Sequence, residues 1–181
     1  CKTSLEEANT ALAQGGIASV TNLEIDNFEK HIHDTMVAGD WLSDPKSVEK
    51  VVCNAPEQIE ELLNWGVEFD LHREGGHSEF RILHHADNTG YEIQQSLIQR
   101  VRQHSNIDVF DNHFAIEIIT QHHLGKIVTR RTTDITCYGA YVLNQATGSV
   151  DTFLSKVTLM ATGGAGAVYQ TTTNPLIATG D

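Results

Sequence analysis

A chain of 181 residues is the size of one domain, and 40% hydrophobic residues supply enough apolar volume for a core. Twelve Lys and Arg against 24 Asp and Glu leave a formal charge of −12, which argues against nucleic acid or an anionic membrane surface as a partner, because phosphates would be repelled. No apolar run approaches the roughly 20 residues of a membrane span, and no signal peptide is visible. Cys1, Cys53 and Cys137 are far apart and form no C-x-x-C, which reads as free thiols in a reducing, cytoplasmic compartment.

Cys1 to Thr3 reads as the end of a strand, and Ser4 to Thr10 as a polar loop. Asn9 to Gly16 carries little bulk: Asn9, Thr10, Ala11, Leu12, Ala13, Gln14, Gly15, Gly16. Backbone N–H groups in such a stretch suit phosphates or a flat ring, while a plain glycine turn explains the same residues. Ile25, Phe28, Ile32 and Met36 recur at gaps of three and four, predicting a helix that ends near Gly39. His31 and His33, two apart, do not face each other on a helix and are assigned to its solvated face. Asp44-Pro45 is an N-cap followed by proline at the first helical position. That helix is expected to run through Val48, Val51 and Val52 and to break near Asn54, ahead of Pro56. A second segment, Glu57 to Trp65, stops at Gly66. Val67 to Asp70 is then a short extended piece.

Residues 71–88 hold His72, Arg73, Glu74, His77, His84, His85 and Asp87, an unusual density of ionisable groups for a connector. A metal site from His72, His77 and His84 or His85 matches no standard zinc spacing and has no cysteine nearby, so no metal is expected. A site for a small charged ligand at Arg73, Glu74 and the Gly75-Gly76 turn, and a solvated loop, both remain open on the residues alone.

Thr89-Gly90 opens a helix with Ile93, Leu97, Ile98 and Val101, ending near His104. Ile107 to Phe110 and Phe114 to Thr120 read as strands. Ile135 to Leu143 and Val150 to Leu154 flank a turn and predict a β-hairpin. Val157 to Met160 is short and apolar, as in a strand buried on both faces of a parallel sheet, and it breaks into Thr162, Gly163 and Gly164. Ligands in open α/β sheets bind just past such strand ends.

The pieces A-Q-G-G-I-A at Ala13–Ala18, A-T-G-G-A at Ala161–Ala165 and T-N-P-x-x-x-x-G-D at Thr173–Asp181 stand in this order. Together they resemble the flavoprotein family of succinate dehydrogenase, fumarate reductase and L-aspartate oxidase, over essentially the whole chain. Arg73-Glu74-Gly75-Gly76-His77-Ser78, followed by Arg81-Ile82-Leu83-His84, resembles the L-aspartate oxidase branch.

The resemblance implies an α/β fold: part of a Rossmann-like FAD-binding domain of the glutathione reductase type, with an antiparallel β-meander. It implies that residues 1–181 are an internal piece of a longer enzyme, without the G-x-G-x-x-G unit and most of the capping domain. The implied reaction is FAD-dependent oxidation of L-aspartate to iminoaspartate, which opens de novo NAD synthesis. The substrate Cα hydrogen would leave as hydride to the flavin N5, and dioxygen or fumarate would accept the electrons. Lys2, Asn9 to Gly16, Thr162, Gly163 and Asp181 match cofactor contacts, with Lys2, Thr162 and Gly163 toward the adenosine end. Glu74 matches the carboxylate that orients the substrate ammonium group. Covalent members carry histidine five positions before the A-Q-G-G glutamine; here that position is Asn9, so noncovalent FAD is expected. The chain by itself is expected to be inactive, and an open strand edge predicts its self-association or a covering segment. A fumarate reductase or succinate dehydrogenase flavoprotein, and a non-catalytic FAD-binding piece, are the competing readings.

Overall fold

The computed structural model describes residues 1–72 and 75–180. They form two compact units: Asn9–His104 is one, and Cys1–Ala8 with the chain from Ser105 onward is the other.

In the contiguous unit, Asn9–Leu12 makes a 3-10 turn and leads into β1 (Ile17–Ala18). Helix α1 (Phe28–Ala38) starts where the Asn27 side chain accepts a hydrogen bond from the Lys30 N–H, satisfying one orphan donor of the first turn. It ends at Gly39, as the periodicity predicts, although Ile25 lies outside it and is half exposed. Asp44 and Pro45 start α2 (Pro45–Asn64), with the Asp44 carboxylate accepting from Ser47 N–H at 2.8 Å. The expected break at Pro56 does not occur: α2 is one 20-residue helix with the proline inside it. Val48, Val52 and Ile59 lie along one face of α2 and are all buried, so packing on both sides of Pro56 offsets the hydrogen bond it cannot make. Met36, Val48 and Val52, with Phe28 and Ile32 against them, form the α1–α2 core.

Gly66, at φ +94°, follows the Trp65 cap in the left-handed region that glycine adopts without strain. Strands β2 (Asp70–His72) and β3 (Ile82–His84) then pair antiparallel, and β1 pairs antiparallel with the other edge of β3. Helix α3 (Thr89–Gln103) has the expected bounds.

The other unit is built on a meander. Strands β4 (His113–Thr120), β5 (Cys137–Asn144) and β6 (Val150–Leu154) pair in that order, all antiparallel. Gly139 sits on β5 at φ +141°, where a Cβ would strike the Phe153 backbone of β6. Asn112 N–H and His113 N–H donate to the carbonyls of Thr3 and Cys1, tying the first residues to the start of β4.

Two expected strands are absent. Residues 107–110 are irregular, with Ile107 and Phe110 45% and 46% exposed. Residues 157–160 are irregular too, with Val157 and Leu159 85% and 88% exposed, and both sheets among the described residues are antiparallel. An apolar run is a strand only when a neighbouring backbone completes its ladder, and no described strand pairs with this one. No described helix is long and apolar enough to cross a membrane.

Candidate functional site

The contiguous unit brings the end of the A-Q-G-G stretch together with the histidine-rich turn. An open cavity of about 760 Å³ is lined by Gly16, His31, Asp34, Val48, Gly76 and His77, among others. Residues that are far apart in sequence therefore share one wall.

Behind that wall lies a buried ionic group. Arg81, just before β3, is fully buried; its Nε and Nη2 donate to the two oxygens of Asp26 at 2.8 and 2.6 Å. Its Nη1 donates to Asp34 on α1 at 2.8 Å. The same Asp34 oxygen accepts from the Ser78 N–H at 2.9 Å and hydroxyl at 2.8 Å. One guanidinium between two carboxylates leaves the group net negative. Partial burial disfavours the Asp34 charge, but the Ser78 hydrogen bonds and the Arg81 guanidinium prevail and hold its carboxyl below the usual range.

His31, assigned from sequence to the solvated face, is instead buried at 5% exposure. It lies on α1 one turn before Asp34, so the face that presents Asp34 to Arg81 also carries His31 inward. Its ring stands edge-on to His77 at 5.8 Å. Burial, with the Arg81 and His77 charges nearby, pushes its pKa down to about 4, so it is neutral at physiological pH. His33 is exposed, against Trp41.

The cofactor-type residues divide between the units. In the contiguous unit, Asn9, Thr10, Leu12, Ala13, Gln14 and Gly15 are exposed, with Ala11 and Gly16 half-buried. Apart from Gly15 and its two chain neighbours, no heavy atom lies within 4 Å of where a Cβ on Gly15 would stand. In the other unit, the Lys2 ammonium is engaged within its own unit: it donates to the Ile177 carbonyl at 3.2 Å and to the Thr179 hydroxyl, and lies 5.6 Å from the Phe114 ring centre. Thr162 and Gly163 are exposed, and Gly163, at φ +81°, and Gly164 have open space where a Cβ would stand. Arg73, Glu74 and Asp181 lie outside the described residues. Among the described residues no three His, Cys, Asp or Glu are placed to hold a metal ion.

The family profile described as FAD binding domain matches residues 2–181. The chain belongs to this family. Within each unit taken by itself the backbone stands open, at Gly15 in one and at Gly163 and Gly164 in the other, and open backbone of this kind suits close approach by a bulky planar or phosphorylated ligand. Similar proteins include L-aspartate oxidase 2-a, chloroplastic, of Nicotiana tabacum, 46% identical over 97% of this chain and 27% of that protein. L-aspartate oxidase of Acinetobacter baylyi is 44% identical over 99% of this chain and 34% of its own length. Among solved structures, the FrdA chain of an E. coli quinol fumarate reductase variant superposes with a TM-score of 0.84 at 30% identity, over 98% of this chain and 29% of that one. A quinol-fumarate reductase with menaquinol molecules gives 0.84 at 31% identity, over 99% of this chain and 30% of that one. The FAD-binding domain thus spans about a third or less of the length of these relatives.

Sequence reasoning missed the Arg81–Asp26–Asp34 group and the burial of His31. One signal was available: Arg81 directly precedes Ile82 and Leu83, an awkward neighbourhood for a cation unless it is paired.

Proposed function

We propose that this domain serves an enzyme that oxidises L-aspartate to iminoaspartate with FAD, at the head of NAD biosynthesis. The observation that carries the reading is similarity: relatives named L-aspartate oxidase match nearly the whole chain at 39–46% identity. Bound FAD supplies the two-electron oxidising chemistry. Lys2, Asn9 to Gly16, Thr162, Gly163 and Asp181 hold it, and it is not covalently attached, because Asn9 cannot form the histidyl link.

Glu74 orients the substrate ammonium group. Succinate and fumarate have two carboxylates and no amine, so a carboxylate at this position would repel them and attract aspartate. The electrons pass to dioxygen or to fumarate. A cytoplasmic location is supported by three free cysteines, two of them exposed, while the plant relatives are named chloroplastic.

A second reading, a fumarate reductase or succinate dehydrogenase flavoprotein, is supported by the superposition on quinol fumarate reductase at 30% identity. The test is turnover by the full-length protein. L-aspartate with dioxygen should yield hydrogen peroxide and an imino acid that hydrolyses to oxaloacetate and ammonia. Oxidation of succinate with no activity on aspartate would establish the second reading in its place.

A further inference from the structure

The first turn of α3 is built against the stretch assigned to the cofactor. Gly90 N–H donates to the Ala13 carbonyl at 2.9 Å, and Ala13 N–H closes the turn by donating to the Thr10 carbonyl at 3.1 Å. A Cβ on Gly90 would overlap the Thr10 carbonyl oxygen, and it would stand 2.7 Å from Ala13 Cβ and 2.9 Å from Ala13 O. Gly90 is buried and helical, and its φ is not positive. Space, and not backbone conformation, therefore demands glycine here. Two of the three blocking atoms are backbone oxygens, which cannot rotate aside as a side chain could.

The far end of the stretch is pinned the same way. A Cβ on Gly16 would overlap Ile82 Cγ2 and stand 2.6 Å from the Leu83 carbonyl oxygen on β3. Between these two contacts Gln14 and Gly15 stay exposed. The loop is thus fixed at Thr10–Ala13 and at Gly16, and open between them.

We propose that Gly90 is a positioning residue for the cofactor: its missing side chain lets α3 set the height of the Thr10–Ala13 turn, and so the affinity for FAD. The inference rests on the assignment of residues 9–16 to FAD. Thr89, next in the chain and 1% exposed, accepts a hydrogen bond from His85 N–H through its hydroxyl at 3.0 Å. It stabilises the helix start through β3's own segment and makes a suitable comparison.

The experiment titrates FAD into the stripped full-length protein, following quenching of flavin fluorescence, with circular dichroism and thermal midpoint measured on the same apo samples. Gly90→Ala should raise the Kd for FAD at least about tenfold, the loop being displaced to clear the new methyl. Thr89→Val should lower the thermal midpoint and leave the Kd within about twofold, since it adds nothing toward the loop. If Gly90→Ala fails to fold, Ala13→Val loads the same contact from the loop side and should raise the Kd likewise. Equal Kd values for wild type and the variant that folds overturn the inference, as does a Thr89→Val variant that weakens FAD as much as Gly90→Ala. Wild-type protein that does not bind FAD overturns the cofactor assignment itself, and the inference with it.

Discussion

Arg81 and Asp26 form a two-pronged ion pair from which water is almost wholly excluded: the two side chains are 0% and 2% exposed. Two parallel N–H···O bonds at 2.6 and 2.8 Å match the planar guanidinium to the planar carboxylate. Asp26 precedes α1, whereas Arg81 precedes β3, so the pair fixes the helix against the small sheet. Removing either partner strands a charge in the interior. Arg81→Ala should therefore cost about 3–5 kcal/mol of stability. Arg81→Lys should lose a large part of the same amount, because an ammonium cannot serve both Asp26 oxygens and Asp34 in one plane. Urea unfolding of the two variants checks this. A loss under about 1 kcal/mol for Arg81→Ala would show that solvent reaches the site.

Acid should loosen this unit in two stages. The His31 pKa is about 4 in the fold and near 6.5 in the unfolded chain, lowered by burial first and then by Arg81 and His77, against the opposing pull of Asp26 and Asp34. Between those values the unfolded chain binds a proton that the folded chain refuses, so stability falls as pH drops from 6.5 toward 4. Asp34, held below its ordinary 3.8, withdraws further support only at lower pH. A pH series of thermal midpoints should show the first decline in wild type and a shallower one in His31→Phe. Identical slopes would assign the decline to other groups.

Glu74→Gln in the full-length enzyme should weaken aspartate oxidation far more than fumarate reduction. The two ligands share their carboxylates, and only aspartate carries the ammonium group. A charge-assisted hydrogen bond of about 1.5–3 kcal/mol corresponds to roughly ten- to a hundredfold in kcat/KM for aspartate. Equal losses on both substrates would mean that Glu74 supports its loop and does not read the amine.

Acid precipitation of the full-length protein should release all flavin to the supernatant, because Asn9 stands where covalent members have histidine. Yellow colour retained in the pellet would disprove noncovalent attachment.

What the sequence made legible was local. The caps at Asp44 and Gly39, and the period of α3, depend on neighbours within a turn or two, and the structure places those elements where the pattern does. The β5–β6 hairpin is equally local, with Leu143 opposite Val150 across a short turn. Errors came where a distant partner decides. Val157–Met160 has strand composition but no described ladder partner, and Pro56 is carried by packing that reaches across it from Val48 to Ile59. His31 is buried because Arg81, 50 positions away, gathers Asp26 and Asp34 around itself. The candidate site shows the same division. Its glycines could be read one by one, but the contact of Gly90 with Thr10 and Ala13 spans about 80 residues and leaves no periodic trace.

The order in which the two units can form follows from how the chain threads them. Everything in Asn9–His104 is contiguous, so its contacts are complete as soon as those residues have left the ribosome. The partners of Cys1 and Thr3 are Phe110, Asn112 and His113, and Lys2 awaits Gln145, Ile177 and Thr179. These partners are synthesised about a hundred residues or more after Cys1 to Thr3. At roughly 5–20 residues per second that is an interval of several seconds or longer, far beyond the time a small helical unit needs to fold. The contacts within residues 9–104 can thus form before residues 1–3 meet their partners at residues 110–113.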